Sequence, residues 1–330
     1  MDNVMNILKV LFAVLVFPGF LFTSSVGLLL AGIDRKLVAR MQKRVGPPLL
    51  QPLYDFFKLM GKETIVPQAA NKKVFLVAPI IGAVSLSIMM LFIPMFGGKL
   101  GMTNGTADMI VIIYLLTIPA VALIIGGSAS ASPFAGIGIS REMVTMMAYE
   151  LPLILVFLAV AKLVGGNTLC FSLGAISDYQ MANGSLITNW QLIPAAIAFL
   201  LIIPAEVGTQ PFDVAEAETE ICEGPLIEFS GAPLAIFKLN ASLKMFIMTS
   251  LFSFLFLGGI FTGAGITSAV LLWVIRALLA LAFSALLTFL TMTLPHAVMA
   301  RLKIEHLFKF YWTFVAALAF LSLLLVWLTV

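Results

Sequence analysis

Charge is what this sequence has least of. Only 11% of its 330 residues are Asp, Glu, Lys or Arg and 61% are apolar, whereas an ordinary soluble domain is roughly 25% charged. Such a composition excludes a globular protein held in water by its own surface, and it makes lipid the solvent. Cysteine is almost missing: Cys170 and Cys222 are the chain's two. Two thiols are too few to hold an iron–sulfur cluster or a structural zinc, and each reads as a thiol without a special role. Histidine is equally sparse. His296 and His306 share one short connection ten residues apart and read as partner-contact residues rather than metal ligands. The apolar runs lack period-two alternation, which excludes a membrane barrel, and no fixed-period repeat is present.

What is there is a succession of apolar runs, each about 20 residues long, enough to cross a hydrocarbon core of about 30 Å as a helix with its backbone satisfied internally. The fold class predicted is an all-α integral membrane protein, a single membrane domain over 1–330. Its eight spans run near Met5 to Ile33, Val74 to Phe96, Met109 to Ser128, Glu142 to Val164, Trp190 to Glu206, Leu239 to Phe261, Ile266 to Leu294 and Lys309 to Val330. The first run is too long for a signal-peptide core and ends in charge without a small-residue cleavage site, so it reads as a retained helix.

Charge, where present, is concentrated. Nine of the nineteen basic residues (Arg35, Lys36, Arg40, Lys43, Arg44, Lys58, Lys62, Lys72 and Lys73) lie in the 34–73 segment between the first two spans, and the positive-inside rule makes that segment cytoplasmic. Alternation then puts both termini outside and brings Arg141, Lys238 and the 301–309 stretch to the cytoplasmic side, leaving Lys99 and Lys162 for the external connections. Within the basic segment, Pro47 to Lys62 carries Leu49, Leu50, Leu53, Phe56, Phe57 and Met60 at near-helical spacing. That pattern predicts an amphipathic helix in the membrane interface.

Polar groups inside lipid are costly, so each is a functional candidate. Glu150 falls within the fourth span; it reads either as a proton- or ion-carrying carboxyl or as a neutral group hydrogen-bonded across the bundle. Lys244 and Arg276, in or near the sixth and seventh spans, either partner buried carboxylates or extend to an interface. Between the fifth and sixth spans, 204–238, stand Glu206, Asp213, Glu216, Glu218, Glu220, Glu223 and Glu228. A solvated acidic loop is the usual reading of such a run. Interleaving with Pro204, Val207, Pro211, Phe212, Ile221, Leu226 and Phe229 instead predicts a loop folded against the helix ends, where crowded carboxylates push one another's pKa values apart and upward.

Three strings carry a resemblance: DRKLVARMQKRVGPPLLQPLYDFFKLMGKE from Asp34, SREMVTMMAYELP from Ser140 and PAEVGTQPFDVAEAETEICEGPLIEFSG from Pro204. In this order they resemble the subunit 1, or H-subunit, family of respiratory complex I and its relatives in membrane-bound hydrogenases. The resemblance implies eight spans with an interfacial helix after the first, and a subunit joining a membrane arm to a hydrophilic electron-transfer arm. It assigns ion translocation to Glu150, Glu206, Asp213, Glu216, Glu218, Glu220 and Glu223. Arg35, Arg40, Arg44 and Asp55, with Glu228, would face the peripheral arm. Quinone-reducing members usually carry an asparagine and further glycines where this chain has only Arg44–Val45–Gly46–Pro47–Pro48 before Leu49. The compact form resembles energy-converting [NiFe] hydrogenases and related sulfur-reducing complexes, in which the redox chemistry lies outside this subunit. The expectation is therefore a chain without its own cofactor, whose NiFe centre and iron–sulfur clusters sit in hydrogenase-like large and small subunits, with ferredoxin as indirect donor, antiporter-like membrane subunits alongside, and no nucleic-acid partner. A quinone-binding subunit, a free-standing cation transporter and a passive anchor are the competing readings. The transporter would favour broken helices in two repeats, and the anchor leaves Glu150 unexplained.

Overall fold

A computed structural model of the chain describes residues 2–93, 105–262 and 269–329. Among these residues every regular element is helical, and eight helices are long and apolar enough to cross a membrane. Lys99 and the ends drawn at Phe96, Ile266 and Val330 lie outside the described residues.

The first span is two helices rather than one: α1 (Asp2–Leu15) and α2 (Phe20–Met41). They part at Pro18, which has no amide hydrogen to continue a helix, and at Gly19, where a methyl would overlap the Val14 carbonyl. α2 runs eight residues past Ile33, so Asp34, Arg35 and Arg40 are helical. Asp34 points inward, while Arg35 and Arg40 are exposed. A short interfacial helix follows, α3 (Gln51–Met60), with Pro52 in its first turn. Leu53 and Phe56 pack against the core and Tyr54 and Phe57 face outward. It crosses α2 at Gly32, where any side chain would overlap the Leu49 carbonyl.

α4 (Lys72–Phe92) and α5 (Asp108–Ala129) pair closely. α6 (Pro133–Gly165) begins nine residues before the predicted start. Its opening matches the preference for proline at the first helical position after an extended residue, here Ser132. Lys162 therefore lies in the last turn of a helix rather than in a connection; its ammonium donates to the Gly166 carbonyl at 2.6 Å and sits 4.8 Å from the Trp327 ring centre. An unanticipated helix, α7 (Leu173–Asn183), follows. It is tied down by Gln180, whose amide donates to the Phe254 and Leu255 carbonyls at 3.1 and 2.6 Å.

α8 (Ile193–Val207) ends at Gly208, a left-handed residue (φ 75°) whose amide, with that of Thr209, caps the Pro204 carbonyl. One short turn, α9 (Glu218–Ile221), interrupts the acidic loop before α10 (Gly231–Leu257), which is buried along most of its length against α2, α4 and α8. The seventh span joins α11 (Ala269–Thr288), a π-helical stretch Phe289–Thr293 and α12 (Leu294–Val298). The eighth joins α13 (Ile304–Lys309), a second π-helical stretch Phe310–Val315 and α14 (Ala316–Thr329).

Four connections, 42–71, 130–132, 208–230 and 299–303, meet at one end of the bundle. Asn71 N–H donates to the Ala129 carbonyl (3.0 Å), Leu302 N–H to the Pro211 carbonyl (3.1 Å) and Ile65 N–H to the Ser230 hydroxyl (2.9 Å).

Candidate functional site

The acidic loop packs like core. Phe229 stacks on Phe75 with ring centres 4.0 Å apart and meets Phe237 edge-on at 4.9 Å. Pro225 fits against Gly127 and Gly138, positions where a β-carbon would crowd it. Burying these apolar groups holds the loop's polar residues in place without a solvated loop's entropy.

Beneath the loop lies a cavity of about 70 Å³ between α5, α6, α8 and α10. That is room for a few water molecules. Glu142, Glu206, Asp213, Glu216, Asn240 and Lys244 supply its polar lining. Lys244, for which the sequence leaves two readings open, faces Glu206: its ammonium is 3.0 Å from Oε1 and donates to the Glu206 backbone carbonyl at 3.1 Å. With side-chain exposures of 9% and 2%, the pair is sealed from solvent, so neither charge is tolerable without the other. Tyr149 lies against the Glu206 carboxylate from α6. The Asn240 amide donates to the Pro79 carbonyl at 3.1 Å, and its Oδ1 is left without a protein donor, an atom that a cavity water would satisfy.

Asp213 is clamped by Arg301, whose Nε donates to both carboxylate oxygens at 3.1 and 3.0 Å while an Nη reaches one at 2.8 Å. This forked pairing ties the loop to the connection after the seventh span. Glu142 and Glu216 make no ion pair among the described residues. Glu216, outside the spans, is pushed up from 4.5 to about 7, first by burial and then by the charges of Glu142, Asp213 and Glu223, with Lys238 opposing. A carboxyl with that value exchanges protons at neutral pH.

The remaining sequence candidates divide. Glu150 is half-buried on α6, eight residues beyond Glu142 and within electrostatic range of Glu206. Glu220 and Glu223 lie on the loop's outer side, ion-paired with Arg141 and, at 3.9 Å, Lys238; Glu218 is exposed. Arg276 sits on α11 and Glu228 near the loop's end, and neither lines the cavity. Arg35 holds Asp55 at 3.0 Å, and Gln51 donates to the same carboxylate at 3.0 Å, fixing α3 on α2; Arg40 and Arg44 are exposed beside them.

Sequence reasoning misses two acids. Glu142 stands at a predicted helix start, where a carboxylate is ordinarily solvated; its seven-residue spacing from Tyr149, two helical turns, is the available signal. Asp34 is 6% exposed, accepts from the Thr293 hydroxyl at 2.7 Å and lies 3.8 Å from His296 Nδ1; a long-range contact of that kind leaves no local pattern. Among the described residues no three His, Cys, Asp or Glu side chains are grouped to hold a metal.

Comparison with known proteins gives three kinds of match. A family model described as NADH dehydrogenase matches residues 12–327. The H-subunit of the NADH-quinone oxidoreductase of Bordetella pertussis is 33% identical over 236 residues, 68% of this chain and just under two thirds (66%) of that relative's length. The corresponding H-subunit of Syntrophotalea carbinolica is 30% identical over 98% of this chain and 96% of its own. Hydrogenase-4 component C of Escherichia coli is 35% identical over 69% of this chain and 70% of its own. Among solved structures, a chain of the membrane-bound sulfane sulfur reductase, an archaeal respiratory membrane complex, superposes with a TM-score of 0.81 at 28% identity, over 96% of this chain and 99% of that one.

Proposed function

The chain belongs to the NADH dehydrogenase family, and from that premise we propose that it is the ion-translocating membrane subunit of a hydrogenase-like respiratory complex, joining a peripheral redox arm to the membrane arm. The observation that carries this is the small cavity holding one sealed Lys244–Glu206 pair beside two carboxyls, Glu142 and Glu216, that make no ion pair of their own among the described residues. A passive anchor has no use for charge buried at such cost.

Electrons from reduced ferredoxin would run through iron–sulfur clusters to a NiFe-type centre in partner large and small subunits, docked on the end of the bundle where the basic segment and acidic loop meet. The positive-inside rule makes that end cytoplasmic and both termini external. Reduction in the partner changes the charge over the loop. Glu216, near half-protonation at neutral pH, then takes up a proton and passes it to Glu142 and the Glu206–Lys244–Tyr149 cluster. A buried ion pair next to carboxyls that lack ion pairs of their own redistributes its charge when one neighbour is neutralised. Glu150 is only half-buried at mid-span, where an ionised group facing lipid is disfavoured. It therefore fits as the exit, covered by a neighbouring antiporter-like subunit. The transferred cation is H⁺ or Na⁺, since carboxylates carry both.

The matched subunits named for NADH-quinone oxidoreductases favour a second reading, in which the partner reduces quinone. The compact Arg44 to Pro52 segment and the 35% identity to hydrogenase-4 component C support the first, while the near full-length superposition on a sulfur reductase chain favours a complex that does not reduce quinone, without choosing the hydrogenase. Metal analysis of the complex that copurifies with this chain in mild detergent separates them. Nickel stoichiometric with the chain is expected; iron without nickel would move the assignment to a sulfur- or quinone-reducing complex. Glu150→Gln is expected to leave redox turnover intact while abolishing ion movement, and unchanged pumping would remove Glu150 from the path.

A further inference from the structure

A second cavity has no part in this reading. It measures about 480 Å³ and is walled by Val14, Phe20, Phe56, Ile80, Ala83 and Ile236, from α1, α2, α3, α4 and α10. A polar handle is missing. Among its lining residues Ser87 alone carries a side-chain hydroxyl, and that hydroxyl is spent on the Ala83 carbonyl at 2.7 Å. Ile80 and Ile236 also line an adjoining open cleft of about 630 Å³, whose wall includes Thr64 and Lys72. Lys72 is exposed, and no side chain caps the first turn of α4 that it opens.

We propose that this slot and cleft form a binding site for one anionic phospholipid, its hydrocarbon chain in the apolar slot and its phosphate at Lys72. The slot alone, about 480 Å³, falls within the roughly 300–1,000 Å³ of sites built for small ligands. The distribution of polarity fixes the class: a ligand whose polar head enters first would find no donor or acceptor inside, whereas a lipid keeps its head at the interface and gives only hydrocarbon to the slot. The charge at the cleft selects an anionic head. A bound lipid there would wedge α3 against α2 and α4 and so steady the platform that carries Arg35 and Asp55. The site stands independently of the proposed ion path.

The test uses the intact complex, stripped of lipid by detergent exchange and titrated with phosphatidylglycerol or phosphatidylcholine in mixed micelles, with retained lipid counted by native mass spectrometry. Phosphatidylglycerol is expected to bind about fivefold tighter than phosphatidylcholine, the worth of roughly one basic residue beside an anionic head. Lys72→Glu should erase that preference, and Ile80→Trp, which fills the slot, should weaken both lipids. Equal retention of the two lipids, or a preference that survives Lys72→Glu, would overturn the proposal. So would an isoprenoid quinone that copurifies one per complex and is lost on Ile80→Trp. Lys72 is exposed, so its variant decides the question even where the tryptophan protein does not assemble.

Discussion

Replacing Glu216 by Gln should make the complex more stable at alkaline pH and leave it unchanged at acid pH. Burial and the neighbouring carboxylates hold this side chain at about 7 instead of 4.5. Below pH 4.5 it is protonated in folded and unfolded chains alike and contributes no difference. Between 4.5 and 7 the unfolded chain releases its proton while the folded one keeps it, so folding stability falls as pH rises. The fall is complete above 7. A displacement of about 2.5 pH units at about 1.4 kcal/mol each amounts to about 3 kcal/mol. Gln keeps the size and hydrogen bonding of the protonated acid but has nothing to ionise, so it escapes this loss. Unfolding midpoints of the purified complex, followed by intrinsic fluorescence from pH 4 to pH 8, should coincide for the two proteins at pH 4 and separate in favour of Glu216→Gln by pH 8. An infrared titration should lose a protonated-carboxyl band centred near pH 7 in the same variant. A constant offset across the range, or an unchanged band, would refute the assignment of the neutral-pH proton to Glu216.

Lys244→Met should strand the Glu206 carboxylate and cost about 3–5 kcal/mol, read as lost assembly, whereas Lys244→Met with Glu206→Gln should recover much of it; equal damage from single and double variants would count against a coupled pair. Arg301→Ala should free Asp213 and make 208–230 sensitive to limited proteolysis, and Arg301→Lys should rescue only partly because an ammonium cannot reproduce the fork. Gly32→Ala places a methyl on the Leu49 carbonyl, so α3 must lift from α2; the prediction is a complex that loses its peripheral arm on size-exclusion chromatography while the membrane subunit remains.

The architecture was legible in the sequence because lipid imposes a rule that acts on single segments: each crossing must be helical, about 20 residues long and apolar. Composition and run length were therefore enough for eight spans, and α3 followed from the period of Leu53, Phe56 and Phe57. The same reading placed acids at the end of the bundle, since the interleaved Phe212, Leu226 and Phe229 could not belong to a solvated tail. It stopped where hydropathy stops carrying information. The break at Pro18 and Gly19 is a backbone event inside an apolar run. The nine extra residues before Glu142 are broken by Pro133 and two glycines and the eight after Ile33 carry four charges, so both resemble connections, yet both are helical.

Which acids are ion-paired and which line the cavity without an ion pair was a property of the tertiary structure alone. Sequence grouped seven carboxylates by proximity along the chain, but side-chain environment depends on what other segments bring. α10 delivers Lys244 to Glu206, the connection after the seventh span delivers Arg301 to Asp213, and Arg141 takes Glu220 to the outside, leaving Glu142 and Glu216 in the cavity without an ion-pair partner among the described residues. Distances of 38 and 88 positions separate the first two pairs along the chain, and electrostatic energy falls with separation in space, which only the packed bundle sets.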